Sequence, residues 1–364
     1  MSEGLQACIN LAEVEALARA KLAGSTTWDF YEGGAEDEQT IAENCAAFRR
    51  IRLRPRMLVD VSARDLSTEV LGQRIALPVL VGPTALQRLA HPDAELATAH
   101  AAAAAGTIGV FSTETHYSIR EIGAATTAPI WFQLYPYESR EVTARMIANA
   151  EAAGCRALVV TVDASYDPRR ERHLRRPLVL PPDLRFGNLI EVGLPGSFER
   201  NVASTMLALT WADVAWLRSA TRMPILLKGI MTGEDAAMAV EHGVDGIVVS
   251  NHGGRQIDGT LASIEALPEV VAQVGGRAEV LVDGGIRRGT DVLKALALGA
   301  KAVLIARPYL WGLALGGEAG VRQVLEMLRA EIDCAMTQLG VAAIARVDRS
   351  LVAVRPLGDH AGFA

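Results

Sequence analysis

Two residues of this chain, His252 and Arg255, stand three positions apart and are suited to proton and carboxylate chemistry. A neutral imidazole can take a proton, and a guanidinium can hold a carboxylate through two parallel hydrogen bonds. Both stand in the stretch Ile247-Val248-Val249-Ser250-Asn251-His252-Gly253-Gly254-Arg255-Gln256-Ile257-Asp258-Gly259. The stretch opens as a β-branched apolar run, which reads as a buried strand. It breaks into a Gly-Gly turn whose backbone can approach a flat or bulky ligand closely. In isolation, His-x-x-Arg is more often a satisfied loop histidine beside a surface arginine. The rest of the chain shifts that balance.

Short apolar runs and helical stretches alternate from Pro78 onward. The runs are Pro78–Gly82, Ile108–Phe111, Ile130–Leu134, Ala157–Val162, Ile225–Leu227, Gly246–Val249, Glu279–Val282 and Ala302–Ile305. Between them lie Ala-rich amphipathic segments such as Ala94–Ala105, Val142–Ala153, Gly233–His242 and Asp291–Leu298. Eight strands separated by helices predict an α/β fold of the (β/α)8 TIM-barrel type. A doubly wound sheet is the structural rival, but no Gly-x-Gly-x-x-Gly follows a first strand. Residues 1–70 read as an N-terminal helical cap, with helices over Leu11–Leu22 and Asp37–Phe48 and an extended basic stretch after Arg49. Residues 164–212, after strand 4, are too long for a loop plus helix and read as a mobile active-site cover. The whole chain, 1–364, is expected to be one domain.

Half of the residues are apolar and 21% are charged, enough for a sizeable core. The net charge of −6 argues against a nucleic-acid partner, which calls for a basic face. The four cysteines show no Cys-x-x-Cys spacing, so neither a disulfide frame nor a metal site is expected. There is no basic region ahead of an apolar run at the N-terminus, and no bilayer-length apolar run. A cytoplasmic location is expected, with no membrane partner.

The strand C-termini, read together, carry the chemistry. They present Pro83-Thr84-Ala85, then Ser112, then Gln133 and Tyr135, then Thr161 and Asp163; the second half presents Lys228, then Ser250, His252 and Arg255, then Asp283-Gly284-Gly285-Ile286-Arg287, then Ala306-Arg307. In a barrel all of these converge on one face. The glycines after strand 7 with Arg287 and Arg307 suit a phosphate, although a tight turn alone would also explain them. Lys228 is a cation in a pocket, fit either to form a Schiff base or to stabilise negative charge. Ser112, Gln133 and Thr161 can hydrogen-bond the edge of a heteroaromatic ring. Asp163 can stabilise the His252 imidazolium, and Tyr135 with Arg255 can clamp a carboxylate.

These residues resemble those of the FMN-dependent 2-hydroxy acid oxidases and dehydrogenases, from about Leu11 to Met336. The most specific piece is Ser250-Asn251-His252-Gly253-Gly254-Arg255-Gln256. It is supported by Pro83-Thr84-Ala85, Phe132-Gln133-Leu134-Tyr135, Thr161-Val162-Asp163, Leu227-Lys228-Gly229 and Asp283-Gly284-Gly285-Ile286-Arg287-Arg288-Gly289. The resemblance implies FMN as cofactor and an (S)-2-hydroxy acid as substrate. It implies His252 as the base, Asp163 as its charge partner, and Arg255 as the carboxylate clamp with Arg170 and Tyr135. It implies Lys228 beside the flavin ring, with Ser112, Gln133, Thr161 and Ser250 as ring contacts and Pro83, Thr84 and Ala85 as further cofactor-binding residues. Asp283, Gly284, Gly285, Arg287, Ala306 and Arg307 would hold the ribityl chain and phosphate. A homotetramer or homo-octamer is also implied, as is O2 as electron acceptor, a soluble dehydrogenase passing electrons to a quinone or carrier protein being the alternative.

Three positions depart from the family pattern. Phe30 stands where many members carry a carboxylate-binding tyrosine, so one substrate hydrogen bond is lost unless Tyr31 supplies it. Glu114 stands where some members line the pocket with tryptophan, and it either points into solvent or favours a tail that is cationic or donates a hydrogen bond. Ala306 replaces a glycine before Arg307 but keeps its amide. Two other readings remain at this point, a flavin binder without turnover and a flavin-free barrel with aldolase chemistry at Lys228.

Overall fold

Eight parallel strands close into a ring: β1 (Val79–Val81), β2 (Gly109–Ser112), β3 (Ile130–Leu134), β4 (Leu158–Thr161), β5 (Ile225–Ile230), β6 (Gly246–Val249), β7 (Glu279–Asp283) and β8 (Val303–Ile305). Each pairs with its sequence neighbour, and β8 returns to β1 in register, Leu304 beside Leu80. This computed structural model describes residues 3–164, 168–194 and 209–354. The parts of the expected 164–212 cover at 165–167 and 195–208 lie outside the described residues.

The pleat explains how apolar strands build both a barrel core and a helix interface. Successive side chains of a strand point to opposite faces. One residue from each strand, Leu80, Val110, Trp131, Val159, Leu226, Val248, Leu281 and Leu304, belongs to a single buried cluster inside the ring. Their neighbours, such as Val81, Phe132, Val160, Val249 and Ile305, belong to the larger cluster shared with the surrounding helices. Strands buried on both faces therefore read as continuous apolar runs rather than alternating ones.

The lower end of the ring is plugged by a hairpin, Thr68–Val70 with Gln73–Ile75, which adds Val70 and Ile75 to the inner cluster. The Trp131 indole donates to Gln73 Oε1 at 3.0 Å, and the Leu71 amide to Glu279 Oε2 at 2.9 Å. The extended stretch expected over Arg49–Glu69 supplies a short strand, Ile51–Leu53, which pairs antiparallel with Val352–Val354, and ends within the first strand of this hairpin. The other end stays open. Ser25 caps the helix Thr26–Glu32 through its hydroxyl, which accepts from the Trp28 amide at 3.3 Å. This helix lies beside the open mouth and is held there by Arg307 Nε, which donates to the Tyr31 carbonyl at 3.0 Å. No helix of the described residues is long and apolar enough to cross a membrane.

Candidate active site

The polar residues at the mouth are the next inward step of the same pleat. Two positions beyond the eight inner-cluster residues stand Gly82, Ser112, Gln133, Thr161, Lys228, Ser250, Asp283 and Ala306. Where the core's inward layer is wholly apolar, this one carries hydroxyls, an amide, an ammonium and a carboxylate. Apart from Ser250, it floors a cavity that opens to solvent.

A proton-handling group stands at one side of this floor. His252 has a left-handed backbone, φ 57°, followed by Gly253 at 64° and Gly254 at 75°. Histidine pays for such a φ where glycine would not, so neighbours must hold it. The Ser250 hydroxyl accepts from the His252 amide at 3.1 Å, and the Gly254 amide donates to the Asn251 carbonyl at 3.0 Å. The turn brings His252 Nδ1 to 2.8 Å from Asp163 Oδ1, and Nε2 to 3.5 Å from the Tyr135 hydroxyl. Asp163 fits there because residue 229 has no side chain. Gly229 has φ 117°, and a Cβ on it would come within 2.6 Å of the Asp163 Cβ.

Burial pulls the His252 imidazole below its usual value, more than Asp163 raises it, with Lys228 and Arg170 adding to the depression. The ring is thus neutral near pH 7 and able to accept a proton. Burial opposes the Asp163 charge, but His252 and Lys228 outweigh it and hold the carboxyl below its ordinary range.

Lys228 Nζ donates to Ser250 Oγ at 2.9 Å and stands 3.3 Å from Asp283 Oδ2. Burial works against its charge, yet Asp283 and Asp163 together raise its pKa. A permanent ammonium is a poor Schiff-base nucleophile, so the aldolase reading loses its reactive group. The second oxygen of Asp283, Oδ1, is buried and unpartnered among the described residues. A ribityl hydroxyl could satisfy it. Beyond Asp283 the backbone turns through Gly284 and Gly285, φ 92° and 79°. Arg287 lies with its guanidinium 4.9 Å over the Trp311 ring. Arg307 is anchored by the carbonyls of Tyr31 and Gly253, both at 3.0 Å. Two anchored guanidiniums beside a glycine turn are a donor set for a phosphate, so these residues fit FMN.

Among the described residues, Arg255 is anchored through one nitrogen. Its Nη1 donates to the carbonyls of Phe30 and Gly33, each at 2.7 Å, and its guanidinium lies 5.3 Å over the Phe30 ring. Burial, with Arg170 and Arg307 close by, pulls it well below its usual range. An anion at this point would relieve that strain. Arg170 comes from the segment after β4 and donates to the Arg255 carbonyl at 3.2 Å. The same segment lies on the N-terminal helix: His173 stacks on Phe30 at 5.5 Å, and Arg176 pairs with Asp29 at 3.0 Å.

Nearly every residue singled out from sequence borders this one cavity, including Pro83, Thr84, Ala85, Phe30, Glu114, Tyr135, Arg170 and Ala306. Asp163 and Ser250 do not; they stand behind His252 and Lys228 and hold them. Tyr31 lines the cavity but gives its hydroxyl to the Leu86 carbonyl at 2.8 Å, so it does not replace the hydroxyl absent at Phe30. Sequence reasoning missed Tyr309, whose hydroxyl donates to the Gly82 carbonyl at 3.0 Å, accepts from Gln87 at 3.2 Å and contacts Thr84. It also missed Trp311, the platform under Arg287. The available signal was an aromatic pair two and four residues after Arg307.

Known proteins are similar to this chain in sequence and fold. The family model described as FMN-dependent dehydrogenase matches residues 18–354. An L-lactate oxidase of Nostoc sp. is 50% identical over 357 residues, 94% of this chain and 98% of that protein. The 2-hydroxyacid oxidase 1 of Homo sapiens is 47% identical over 362 residues, 96% of this chain and 97% of that protein. A solved chimera of (S)-mandelate dehydrogenase superposes with a TM-score of 0.90 at 38% identity, over 95% of this chain and 99% of that one. A barrel mouth that fits a flavin phosphate, and a family match that runs through every strand of that barrel, lead to one conclusion: this chain belongs to the FMN-dependent dehydrogenase family and is an FMN-dependent oxidoreductase.

Proposed function

We propose that this chain oxidises an (S)-2-hydroxy acid to the 2-oxo acid and passes the electrons to O2, giving hydrogen peroxide. The observation that carries the reading is the Asp163–His252–Tyr135 chain, with its 2.8 Å and 3.5 Å contacts, whose His252 and Tyr135 line the same cavity as Arg255. Arg255 and Arg170 bind the substrate carboxylate and fix which carbon faces His252. Tyr135 faces the substrate hydroxyl. His252 Nε2 takes a proton from the substrate, and Asp163 stabilises the imidazolium that results. Lys228 holds a fixed positive charge beside the ring contacts Ser112, Gln133 and Thr161. Asp283, the Gly284-Gly285 turn, Arg287 and Arg307 would hold the ribityl phosphate. FMN bound there supplies the two-electron acceptor for the oxidation. The segment 164–212 serves as the cover, with Arg170 as its contribution to the site.

The relatives' names support O2 as the acceptor. Two similar proteins at 47–50% identity are oxidases, whereas the mandelate dehydrogenase chimera stands at 38%. The test is anaerobic reduction of the yellow holoprotein by glycolate, lactate, mandelate and a long-chain 2-hydroxy acid, followed by admission of air. Bleaching followed by rapid recovery of colour with one peroxide per flavin is expected. Bleaching without recovery would assign a quinone or carrier protein as acceptor. A flavin that none of the acids bleaches would overturn the reading.

A further inference from the structure

Glu114 is a charged group that the chemistry above does not use, yet it lies within the substrate's cavity. Its placement follows from the pleat of β2. Ser112 faces the cavity; Thr113 is buried, its hydroxyl donating to the Gln133 carbonyl at 2.8 Å and accepting from the Tyr135 amide at 3.0 Å. Glu114 therefore returns to the side of Ser112, and both line the cavity. Its backbone is pinned on both sides: its amide donates to Ser112 Oγ at 3.2 Å, and its carbonyl accepts from the Leu86 amide at 3.0 Å. The carboxylate shares the cavity with Phe30, Tyr135 and Arg170. It receives no hydrogen bond from the described residues.

We infer that Glu114 is a specificity-determining residue, and that the preferred substrate is a 2-hydroxy acid carrying a further hydroxyl on its side chain. This rests on the 2-hydroxy acid reading above and names the substrate class of the same site. Four tails can be weighed. An apolar tail would bury the carboxylate without a partner, which is costly. A carboxylate tail would face the Glu114 charge. An ammonium tail would enter a cavity that already holds Arg170, Arg255 and Arg307. A hydroxyl donates to Glu114 whether the acid is ionised or neutral. Both forms matter, because burial pushes the Glu114 carboxyl up to about 7 even though Arg170 lowers it. Phe30 adds to the argument, since its bare ring offers that hydroxyl no competing donor or acceptor.

The test uses isosteric pairs that exchange a methyl for a hydroxyl: (S)-glycerate against (S)-2-hydroxybutanoate, and 2,4-dihydroxybutanoate against 2-hydroxypentanoate. Anaerobic flavin reduction gives the rate divided by the dissociation constant for each acid. In the wild type the hydroxyl member should exceed its methyl partner by roughly 10- to 100-fold, the worth of one hydrogen bond to a charged group. In Glu114→Leu the ratio should fall to about one or invert. Glu114→Gln, which keeps an acceptor, should retain a preference of several-fold. Should the leucine variant fail to hold flavin, the wild-type ratio and the glutamine variant decide. A wild type that favours the methyl members, or the same ratio in all three proteins, overturns the inference while leaving 2-hydroxy acid oxidation standing. If no hydroxy acid reduces the flavin of any of the three, the underlying reading fails instead.

Discussion

Asp163→Asn isolates the charge that His252 needs. Asparagine has the shape of aspartate, so it fits the space left by Gly229 and the barrel should not move. The substitution removes a charge-assisted hydrogen bond of 2.8 Å that strengthens as His252 gains its proton. A hydrogen bond to a charged group is worth about 1.5–3 kcal/mol, or about 10- to 150-fold in rate. An amide N–H turned toward Nδ1 would also favour the wrong tautomer, which in a Ser-His-Asp triad costs about 10⁴-fold. Flavin reduction on the alkaline plateau should therefore slow by about 10- to 10⁴-fold, with FMN retained. The pH profile supplies a second readout. The active form has neutral His252, whose pKa burial lowers, so activity is present above that pKa and is lost as the pH falls through it, at a pH below the ordinary value of 6.5. Asp163 is the group that raises the His252 pKa, so its removal should move the acid limb to still lower pH while the plateau drops. The assay is anaerobic stopped-flow reduction across pH with one saturating substrate. A variant with an unchanged plateau, or with a limb that moves to higher pH, would refute the pairing.

Other variants test the remaining parts of the site. His252→Ala should bind FMN and substrate analogues but reduce its flavin about 10²–10⁴-fold more slowly, measured by single-turnover absorbance. Arg255→Lys loses the planar fork and both 2.7 Å anchors to Phe30 and Gly33, so titration with simple carboxylate inhibitors should show binding weakened by about 1.5–3 kcal/mol. Unchanged affinity would move the clamp to Arg170. Gly229→Ala introduces a Cβ within 2.6 Å of Asp163 at a φ of 117°, so denaturant unfolding should show a loss of about 1–3 kcal/mol along with slower flavin reduction.

The barrel was legible because its strands are buried on both faces. Eight short apolar runs can each be found without knowing which residues face inward, and their polar ends mark one face. Two long helices escape the sequence pattern. Ser263–Val274 carries Pro268 within it, and Arg307–Leu339 is interrupted at Gly317, whose φ is 56°. Both residues ordinarily end a helix. Proline loses its intrahelical hydrogen bond, but five residues into Ser263–Val274 it removes little of the helix, and the second half of the last helix resumes because it packs on Leu11–Leu22 and Ala94–Ala104.

Glu114 shows where sequence reading reaches its limit. Within a strand, period two assigns a face to every residue, which is why Ser112, Gln133, Thr161, Lys228 and Asp283 could be assembled from spacing. Glu114 lies two residues beyond the end of β2, where no ladder enforces the pleat. What carries the alternation on is Thr113, whose hydroxyl bridges the Gln133 carbonyl and the Tyr135 amide and so ties the loop to the end of β3. That contact joins residues about twenty positions apart, and no local pattern announces it. The same holds for His252, whose left-handed φ is secured by the Ser250 hydroxyl beneath it and by Asp163, a partner 89 residues away in sequence. The residue types of the site could be read from the chain; their orientations depend on such contacts between neighbouring strand ends, and those exist only once the barrel has closed.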